Sequence, residues 1–210
     1  NSLNPFRLEG QKTIGLEILE EFVADHDTYP DRIVLPVGNA GNTAALYKCF
    51  RELVQAGAIE RDEVPKLTGV QAAGAAPFVE AIESGAEGVE RWDSVETRAT
   101  AIRIGEPVNA PKALPGVRET GGTAVAVDDE AITEAQRALA QEGIGVEPAS
   151  AASVAGLRKL RADGTIDDDE RVVCLTTGHL LKDPEAAAAA SDEPEPVADD
   201  IGAVLSLLDA

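Results

Sequence analysis

Residues 33 to 50 read IVLPVGNAGNTAALYKCF, and this stretch decides the fold class. An apolar run ends at Val37, opens into Gly38-Asn39-Ala40-Gly41-Asn42, and resumes with apolar residues at helical spacing. A buried strand that enters a helix through a glycine loop is typical of α/β folds. The loop is either a plain turn or an anion site, in which backbone N–H groups and the helix N-terminus face one ligand.

Strand-like and helical segments alternate along the rest of the chain. Apolar runs predict strands at 32–37, 66–73, 123–129 and 144–148, and a last one that starts at 171. Apolar residues at helical spacing predict helices at 7–24, 42–57, 76–85, 129–143 and 150–164. An interval at 85–122 is rich in Gly, Pro and charged residues and has no predicted element. The alternation predicts the α/β class, with an open, mostly parallel sheet and helices on both faces.

The chain is strongly acidic, with 38 Asp and Glu against 18 Lys and Arg and a formal net charge of −20. Such a surface repels phosphate backbones and anionic lipid headgroups, so we expect no nucleic acid and no membrane as partner. The acids are spread along the chain instead of forming one block. We interpret this spread as a solvated acidic surface, and our hypothesis is a high-salt, halophilic cytoplasm.

Cysteine usage points to the same compartment. Cys49 and Cys174 lie inside apolar runs on different elements, without the spacing of metal ligands, and only His26 and His179 accompany them. We therefore expect buried free thiols, no metal site and a reducing, cytoplasmic location.

Three unusual loops are predicted to follow strands: 38–43, 147–150 and 176–182. Ligands of open parallel sheets bind beyond the carboxyl ends of the strands, so we expect these loops to converge on one crevice. The glycine loop matches neither the G-x-x-x-x-G-K-[ST] pattern nor the G-x-G-x-x-G pattern. A nucleoside triphosphate and a dinucleotide are therefore disfavoured, whereas a phosphate remains suitable.

Two further segments carry candidate binding groups. Asn1, Ser2 and Arg7, in NSLNPFRLEGQKT, could hold a dianionic phosphate through neutral donors and a guanidinium fork, or could form an ordinary N-terminal loop. Thr176 and Thr177, in LTTGHLLKDP, could hydrogen-bond a ring nitrogen or merely cap the loop backbone.

Taken together, these stretches resemble the threonine synthases, which are pyridoxal-phosphate enzymes of the tryptophan-synthase-β-like fold. The resemblance covers residues 1 to about 184. It rests on six stretches in the family's order: NSLNPFRLEGQKT, LPVGNAGNTAALYKCFREL, GVQAAGAAPFV, ETRATAIRIGEPVNAPKA, GIGVEPASAASVAGL and CLTTGHLLKDP. The glycine loop marks only the wider fold, whereas the first and last stretches narrow the resemblance to this family.

The resemblance implies a role for each candidate residue. The loop of Gly38, Asn39, Ala40, Gly41 and Asn42 matches the family's site for the phosphate of pyridoxal 5'-phosphate, and Thr177 matches the threonine beside the pyridine nitrogen. Asn1, Ser2 and Arg7 match the residues that hold the phosphate of O-phosphohomoserine. The implied reaction loses phosphate from the γ carbon of that substrate and adds water at the β carbon to give threonine. The resemblance also implies a homodimer.

The family's Schiff-base lysine has no counterpart here. None of the six lysines lies in an S-x-K-x-R context, and we expect Lys12 and Lys182 to be structural. The chain therefore reads as the C-terminal portion of such an enzyme, with the catalytic lysine upstream of Asn1, and we expect it to be inactive alone. Two alternatives stay open: a related threonine or serine dehydratase, and a non-catalytic module that binds a phosphate ligand.

The domain organisation is predicted from composition and from the resemblance. Four segments are expected: 1–28 as the end of the small domain with a crossover helix, 29–184 as the large phosphate-binding α/β domain, 185–200 as an acidic flexible linker, and 201–210 as a C-terminal helix that docks.

Overall fold

The computed structural model describes residues 2–189, 197 and 200–208 of the chain. Four strands form one parallel sheet in the order β3-β2-β1-β4. The strands are β1 (Arg32–Pro36), β2 (Lys66–Ala72), β3 (Thr123–Val127) and β4 (Val172–Cys174). The helices are α1 (Pro5–Gln11), α2 (Thr13–His26), α3 (Gly41–Gln55), α4 (Pro77–Glu83), α5 (Ala110–Glu119), α6 (Asp129–Gln141), α7 (Pro148–Ala162), α8 (Pro184–Ala189) and α9 (Ile201–Leu208).

The sheet is covered on both faces, which confirms the predicted fold class. Successive residues of a strand point to opposite faces, so Ile33 and Leu35 pack into one core and Val34 into the other. The first core includes apolar side chains of α2 to α5, and the second includes those of α6 and α7. Because both faces are buried, β1 reads as a continuous apolar run instead of an alternating one.

Three predictions of local structure were wrong. The helix predicted at 7–24 is two helices that meet at Lys12. The interval 85–122 contains a 3-10 turn at 100–102 and the helix α5, whose prolines, Pro111 and Pro115, disguised it as a loop. The strand predicted at 144–148 is a single antiparallel bridge between Val146 and His179.

The end of the chain differs in part from expectation. The helix α8 occupies the first residues of the predicted flexible linker, and residues 190–196, 198 and 199 of that linker lie outside the described part. The helix α9 covers Ile201–Leu208, and its side chains Ile201 and Leu205 are exposed. Within the described residues, no helix combines the length and apolarity needed to cross a membrane.

Ion pairs at the amino end of the sheet hold β4 in place. Arg32 is buried and donates through Nε and Nη2 to Glu170, at 2.8 and 3.1 Å, and through Nη1 to Thr68 at 2.8 Å. One residue further along, the guanidinium of Arg171 binds both carboxylate oxygens of Asp31. Since β4 itself has only three residues, these side-chain contacts supply much of its attachment.

We expect Glu170→Gln to destabilise the fold, because it leaves the Arg32 guanidinium buried without its counter-charge. The free energy of unfolding should fall by about 3–5 kcal/mol at neutral pH, as measured by urea denaturation. Asp168→Asn is the matched control, since it removes a carboxylate that pairs with Arg161 but is 97% exposed. Its cost should stay below about 1 kcal/mol.

The same pair predicts a pH dependence. Hydrogen bonds from Arg32 lower the pKa of Glu170 below its ordinary value of 4.5. A carboxyl with a lowered native pKa stabilises the fold fully above its unfolded pKa, and this contribution disappears as pH falls through the native pKa. The difference between parent and Glu170→Gln should therefore be constant from pH 7 to about pH 5 and shrink in more acidic solution. A difference that grew on acidification would contradict this assignment.

Both thiols should resist modification, although Cys49 is buried as expected and Cys174 is only partly buried. Burial raises the pKa of Cys49, and it raises the pKa of Cys174 to about 11 from an ordinary 9.0. A shift of that size lowers the thiolate fraction of Cys174 about 100-fold at pH 8. With Ellman's reagent, the native protein should react far more slowly than Ser84→Cys, which adds an exposed thiol, and urea should release both native thiols. Rapid labelling of the native parent would contradict the prediction.

Candidate active site

The glycine loop forms a backbone cradle at the start of α3. Ala40 has a left-handed conformation, with φ of 58°, and turns the chain directly into the helix. Among the described residues, no backbone carbonyl accepts from the first three helical N–H groups, those of Gly41, Asn42 and Thr43. These groups and the helix dipole give the loop the capacity to bind an anion. Gly38 is required there, because a Cβ would lie 2.8 Å from the carbonyl oxygen of Ala101.

Unpaired polar side-chain atoms surround this cradle. In the described part of the chain, three buried side-chain oxygens have no hydrogen-bond partner, and they belong to Gln11, Asn42 and Thr43. Asn42 and Thr43 lie in the first turn of α3, and Gln11 Oε1 lies 3.4 Å from where a Cβ of Gly41 would be. Buried polar atoms are normally paired, so their concentration here indicates a ligand site.

Asn109 links this cradle to the opening segment of the chain. Its backbone N–H donates to the carbonyl of Asn39 at 3.1 Å, and its side-chain amide donates to the carbonyl of Ser2 at 2.9 Å. The residue is only 2% exposed. We did not predict this role from the sequence, because Asn109 lies in the interval that was interpreted as irregular.

The segment that carries Thr177 is anchored on the start of α7. Ser150 is fully buried, and its Oγ accepts from the backbone N–H groups of Thr177 and Gly178, at 3.0 and 2.6 Å. The two hydroxyl oxygens of Ser150 and Thr177 are 3.1 Å apart. Gly178 is required here too, because a Cβ would overlap the carboxylate of Glu147.

An ion pair between Glu147 and Lys182 also helps to hold the Thr177 segment at the start of α7. The carboxylate of Glu147 is 3% exposed and accepts from Nζ of Lys182 at 2.8 Å, while its backbone N–H donates to the carbonyl of Gly178. A buried carboxylate needs such a partner, because an unpaired charge in the interior is costly. The predicted loops 147–150 and 176–182 therefore do meet, although the first follows a bridge instead of a strand.

Parallel pairing brings the glycine loop and the Thr177 segment to one edge of the sheet. Val34 pairs with Cys174, so Val37 and Thr177 each lie three residues beyond that pair. Neighbouring strands lie about 5 Å apart, and both chains leave the sheet at its carboxyl end. The Thr177 side chain is exposed, as a ligand-facing hydroxyl at this edge must be.

Only part of the site predicted for the substrate phosphate is brought together in the opening segment. Ser2 is fixed by its contact with Asn109, and Asn1 lies outside the described residues. Arg7 lies on α1 with an exposed side chain, and no described contact joins it to Ser2 or to the glycine loop.

Five of the six lysines have described partners away from the cradle. Lys12 and Lys48 form a four-membered ion cluster with Glu9 and Glu52 between α1 and α3. The remaining three pair with Glu170, with the carbonyl of Ala126 and with Glu147; they are Lys66, Lys159 and Lys182. Over the described residues, no group of three or more His, Cys, Asp or Glu could hold a metal ion.

Two cavities lie elsewhere on the molecule. One, of about 770 Å³, is at the amino end of the sheet beside Asp31 and Arg171, and the other, of about 710 Å³, lies between α1, α3 and α5. Neither includes a residue of the glycine loop or Thr177. The orphaned polar atoms, and not cavity volume, therefore mark the site.

A parallel sheet with a backbone cradle and an exposed threonine at the same edge is the arrangement of a ligand-binding α/β domain. Comparison with known proteins makes this specific, because the model of the family described as "Pyridoxal-phosphate dependent enzyme" matches residues 1–178. The chain belongs to this family, whose cofactor is pyridoxal phosphate.

Curated relatives narrow the likeness further. The chain is 58% identical over 205 residues to the threonine synthase of Methanosarcina acetivorans, covering 97% of the chain and 49% of that protein. It is 55% identical over 209 residues to the threonine synthase of Methanocaldococcus jannaschii, covering 99% of the chain and 50% of that protein. The chain thus spans about half the length of the curated relatives it matches.

Solved structures show the same fold. Threonine deaminase isoform 2 from Solanum lycopersicum, in its processed form, superposes with a TM-score of 0.68 at 21% identity, over 88% of this chain and 48% of that one. Maize serine racemase superposes with a TM-score of 0.66 at 18% identity, over 96% and 53% of the two chains.

The residues present fit pyridoxal phosphate. The free N–H groups at the start of α3 and the unpaired Thr43 hydroxyl can donate to its phosphate oxygens. Thr177 presents a neutral hydroxyl that can contact the pyridine nitrogen. Bound there, the cofactor would supply an electron sink for a carbanion of an amino-acid substrate.

We expect Asn109→Asp to loosen the opening segment, because the carboxylate cannot donate to the carbonyl of Ser2. The lost contact costs about 1–3 kcal/mol locally, so hydrogen–deuterium exchange should accelerate at residues 2–8. Asn4→Asp is the matched control: Asn4 caps α1 through its Oδ1, and Asp caps equally well. Unchanged exchange in Asn109→Asp would rule out the proposed tether.

Proposed function

We propose that the protein is a threonine synthase, which converts O-phosphohomoserine and water to threonine and phosphate. The observation that carries the proposal is the tether from Ser2 through Asn109 to Asn39. It sets the segment that resembles the substrate-phosphate site beside the cofactor cradle, in a chain 58% identical to a named threonine synthase. A reaction that expels phosphate from an amino acid bound to a phosphorylated cofactor requires two neighbouring anion sites.

The two anion sites are built differently, and the difference suits their ligands. The cradle uses backbone N–H groups at the N-terminus of a 15-residue helix. These groups are rigid, so they suit a ligand that stays bound. The opening segment offers Asn1, Ser2 and the exposed guanidinium of Arg7. A mobile guanidinium can follow a substrate phosphate from binding to departure, and it stabilises the negative charge that grows on the leaving group.

We propose that Thr177 contacts the ring nitrogen of the cofactor as a neutral group. A threonine hydroxyl does not ionise at physiological pH, so it does not favour a protonated nitrogen as a carboxylate would. The electron sink is thereby moderated.

The covalent lysine is proposed to lie outside residues 1–210. The engagement of Lys12 and Lys182 in ion pairs supports this, because a nucleophilic amine must be free to lose its proton. We further propose a homodimer in a high-salt cytoplasm. The net charge of −20 supports the high-salt environment, because dense carboxylates keep a surface hydrated there.

The proposal is tested with Arg7→Ala in the full-length enzyme. Loss of a charge-assisted contact to the substrate phosphate should lower kcat/KM for O-phosphohomoserine about 10- to 100-fold. Dehydration of threonine or serine, which have no phosphate, should change little. Arg91→Ala is the matched control, because Arg91 is an exposed arginine paired with Asp93 and distant in sequence from both anion sites.

The other candidate functions predict different outcomes. Equal losses for both substrates, or none for either, would exclude the role of Arg7 and favour a dehydratase. Failure of the full-length wild-type protein to develop an absorption band with pyridoxal phosphate would favour a non-catalytic module. Borohydride reduction of the loaded enzyme followed by peptide mapping locates the lysine, and a label on Lys12 or Lys182 would contradict our assignment.

A further inference from the structure

The hydroxyl of Ser150 has an unusually complete set of partners. It is the third residue of α7, is fully buried, and faces the segment that carries Thr177. Four polar atoms lie within hydrogen-bond distance of its Oγ: the backbone nitrogens of Thr177 and Gly178, the carbonyl oxygen of Gly178 at 3.2 Å, and Oγ1 of Thr177 at 3.1 Å.

The directions of these bonds follow from the capacity of a hydroxyl. A serine oxygen has two lone pairs and one proton. The two backbone N–H groups can only donate, so they occupy both lone pairs of Ser150. Its single proton must then go to the carbonyl of Gly178 or to Oγ1 of Thr177. In either case Ser150 cannot accept a third hydrogen bond.

The hydroxyl of Thr177 therefore has a defined polarity. It can receive the proton of Ser150 but cannot donate to Ser150, so its own proton is left for another acceptor. No other hydrogen bond of Oγ1 is described, and the side chain is exposed at the carboxyl edge of the sheet. The proton of Thr177 is therefore available to a ligand at this edge.

We infer that Ser150 is a positioning residue: because both of its lone pairs are occupied, it leaves the proton of Thr177 available to the ligand. The inference rests on the proposed function, in which the acceptor is the pyridine nitrogen of the cofactor. A donor at this position stabilises a nitrogen with a free lone pair, whereas a threonine free to rotate could equally accept from a protonated nitrogen. Ser150 thus favours the unprotonated ring, and when it donates to Thr177 that hydrogen bond also strengthens Thr177 as a donor.

Among the described residues, no charged group near the Thr177 segment takes over the role of Ser150 in orienting Thr177. The carboxylate of Glu147 is paired with Lys182, and Nδ1 of His179 accepts from the N–H of Leu181. Asp183 accepts from Thr100 at 3.4 Å. None of these groups has a described contact with the hydroxyl of Thr177, so Ser150 is the group that decides its orientation.

The test uses the full-length enzyme loaded with pyridoxal phosphate that carries ¹⁵N in the ring. The ¹⁵N chemical shift reports protonation of that nitrogen and does not depend on turnover. In the wild-type protein we expect an unprotonated nitrogen at neutral pH. In Ser150→Ala the hydroxyl of Thr177 can reverse, and the protonated fraction should rise about tenfold at fixed pH, the equivalent of one lost hydrogen bond.

Ser153→Ala is the matched control. Ser153 is equally buried on the same helix, and its Oγ donates to the backbone carbonyl of Ser150, so the variant loses a buried hydrogen bond without touching the Thr177 segment. Its ring nitrogen should titrate as in the wild type. Ser150→Cys, which keeps a weaker donor of similar size, should lie between the wild type and Ser150→Ala.

The outcomes separate this inference from the proposed function. A wild-type enzyme that makes threonine but holds a protonated ring nitrogen at neutral pH would overturn the inference alone. So would identical titrations of Ser150→Ala and Ser153→Ala. A wild-type protein that binds no pyridoxal phosphate would overturn the proposed function and the inference with it. If Ser150→Ala fails to fold, the wild-type spectrum and Ser150→Cys still decide.

Discussion

Parallel pairing between β1 and β4 is the constraint on which the rest of the site depends. It sends the glycine loop and the Thr177 segment out of the sheet side by side, so that one ligand can contact both. The strand β4 has only three residues, and the ion pair between Arg32 and Glu170 attaches it at the opposite end. Charged contacts at the amino end of β4 therefore help to fix the strand that leads to Thr177.

At the carboxyl edge of the sheet, some buried polar groups of the described residues make all their hydrogen bonds within the protein, and others lack a partner. Ser150 and Asn109 are buried and use their hydrogen-bonding capacity within the protein, so they hold loops in place. Thr43 keeps an unpaired hydroxyl beside the cradle. An unpaired buried donor costs stability, and a ligand that accepts its hydrogen bond would recover that stability.

Much of the fold was predictable, because its signals are local. Buried strands such as β1 read as apolar runs, and α6 was predicted from apolar residues at helical spacing. The helix α5 was missed because two prolines interrupt the pattern, yet packing in the first core still stabilises it. The strand expected at 144–148 failed for another reason: the carbonyl of Val146 is taken by the side chain of Gln136, and residue 147 pairs with Gly178.

By itself, the sequence determined the α/β class, the glycine cradle and the position of Thr177, because each depends on residues close together along the chain. Only the tertiary structure decided that Ser150 orients Thr177, that Asn109 joins the opening segment to the cradle, and that five lysines are engaged elsewhere. The contacts of Ser150 with Thr177 and of Asn109 with Ser2 join residues 27 and 107 positions apart. Hydrogen bonds and ion pairs form over a few ångströms, so packing, and not spacing in the sequence, selects their partners.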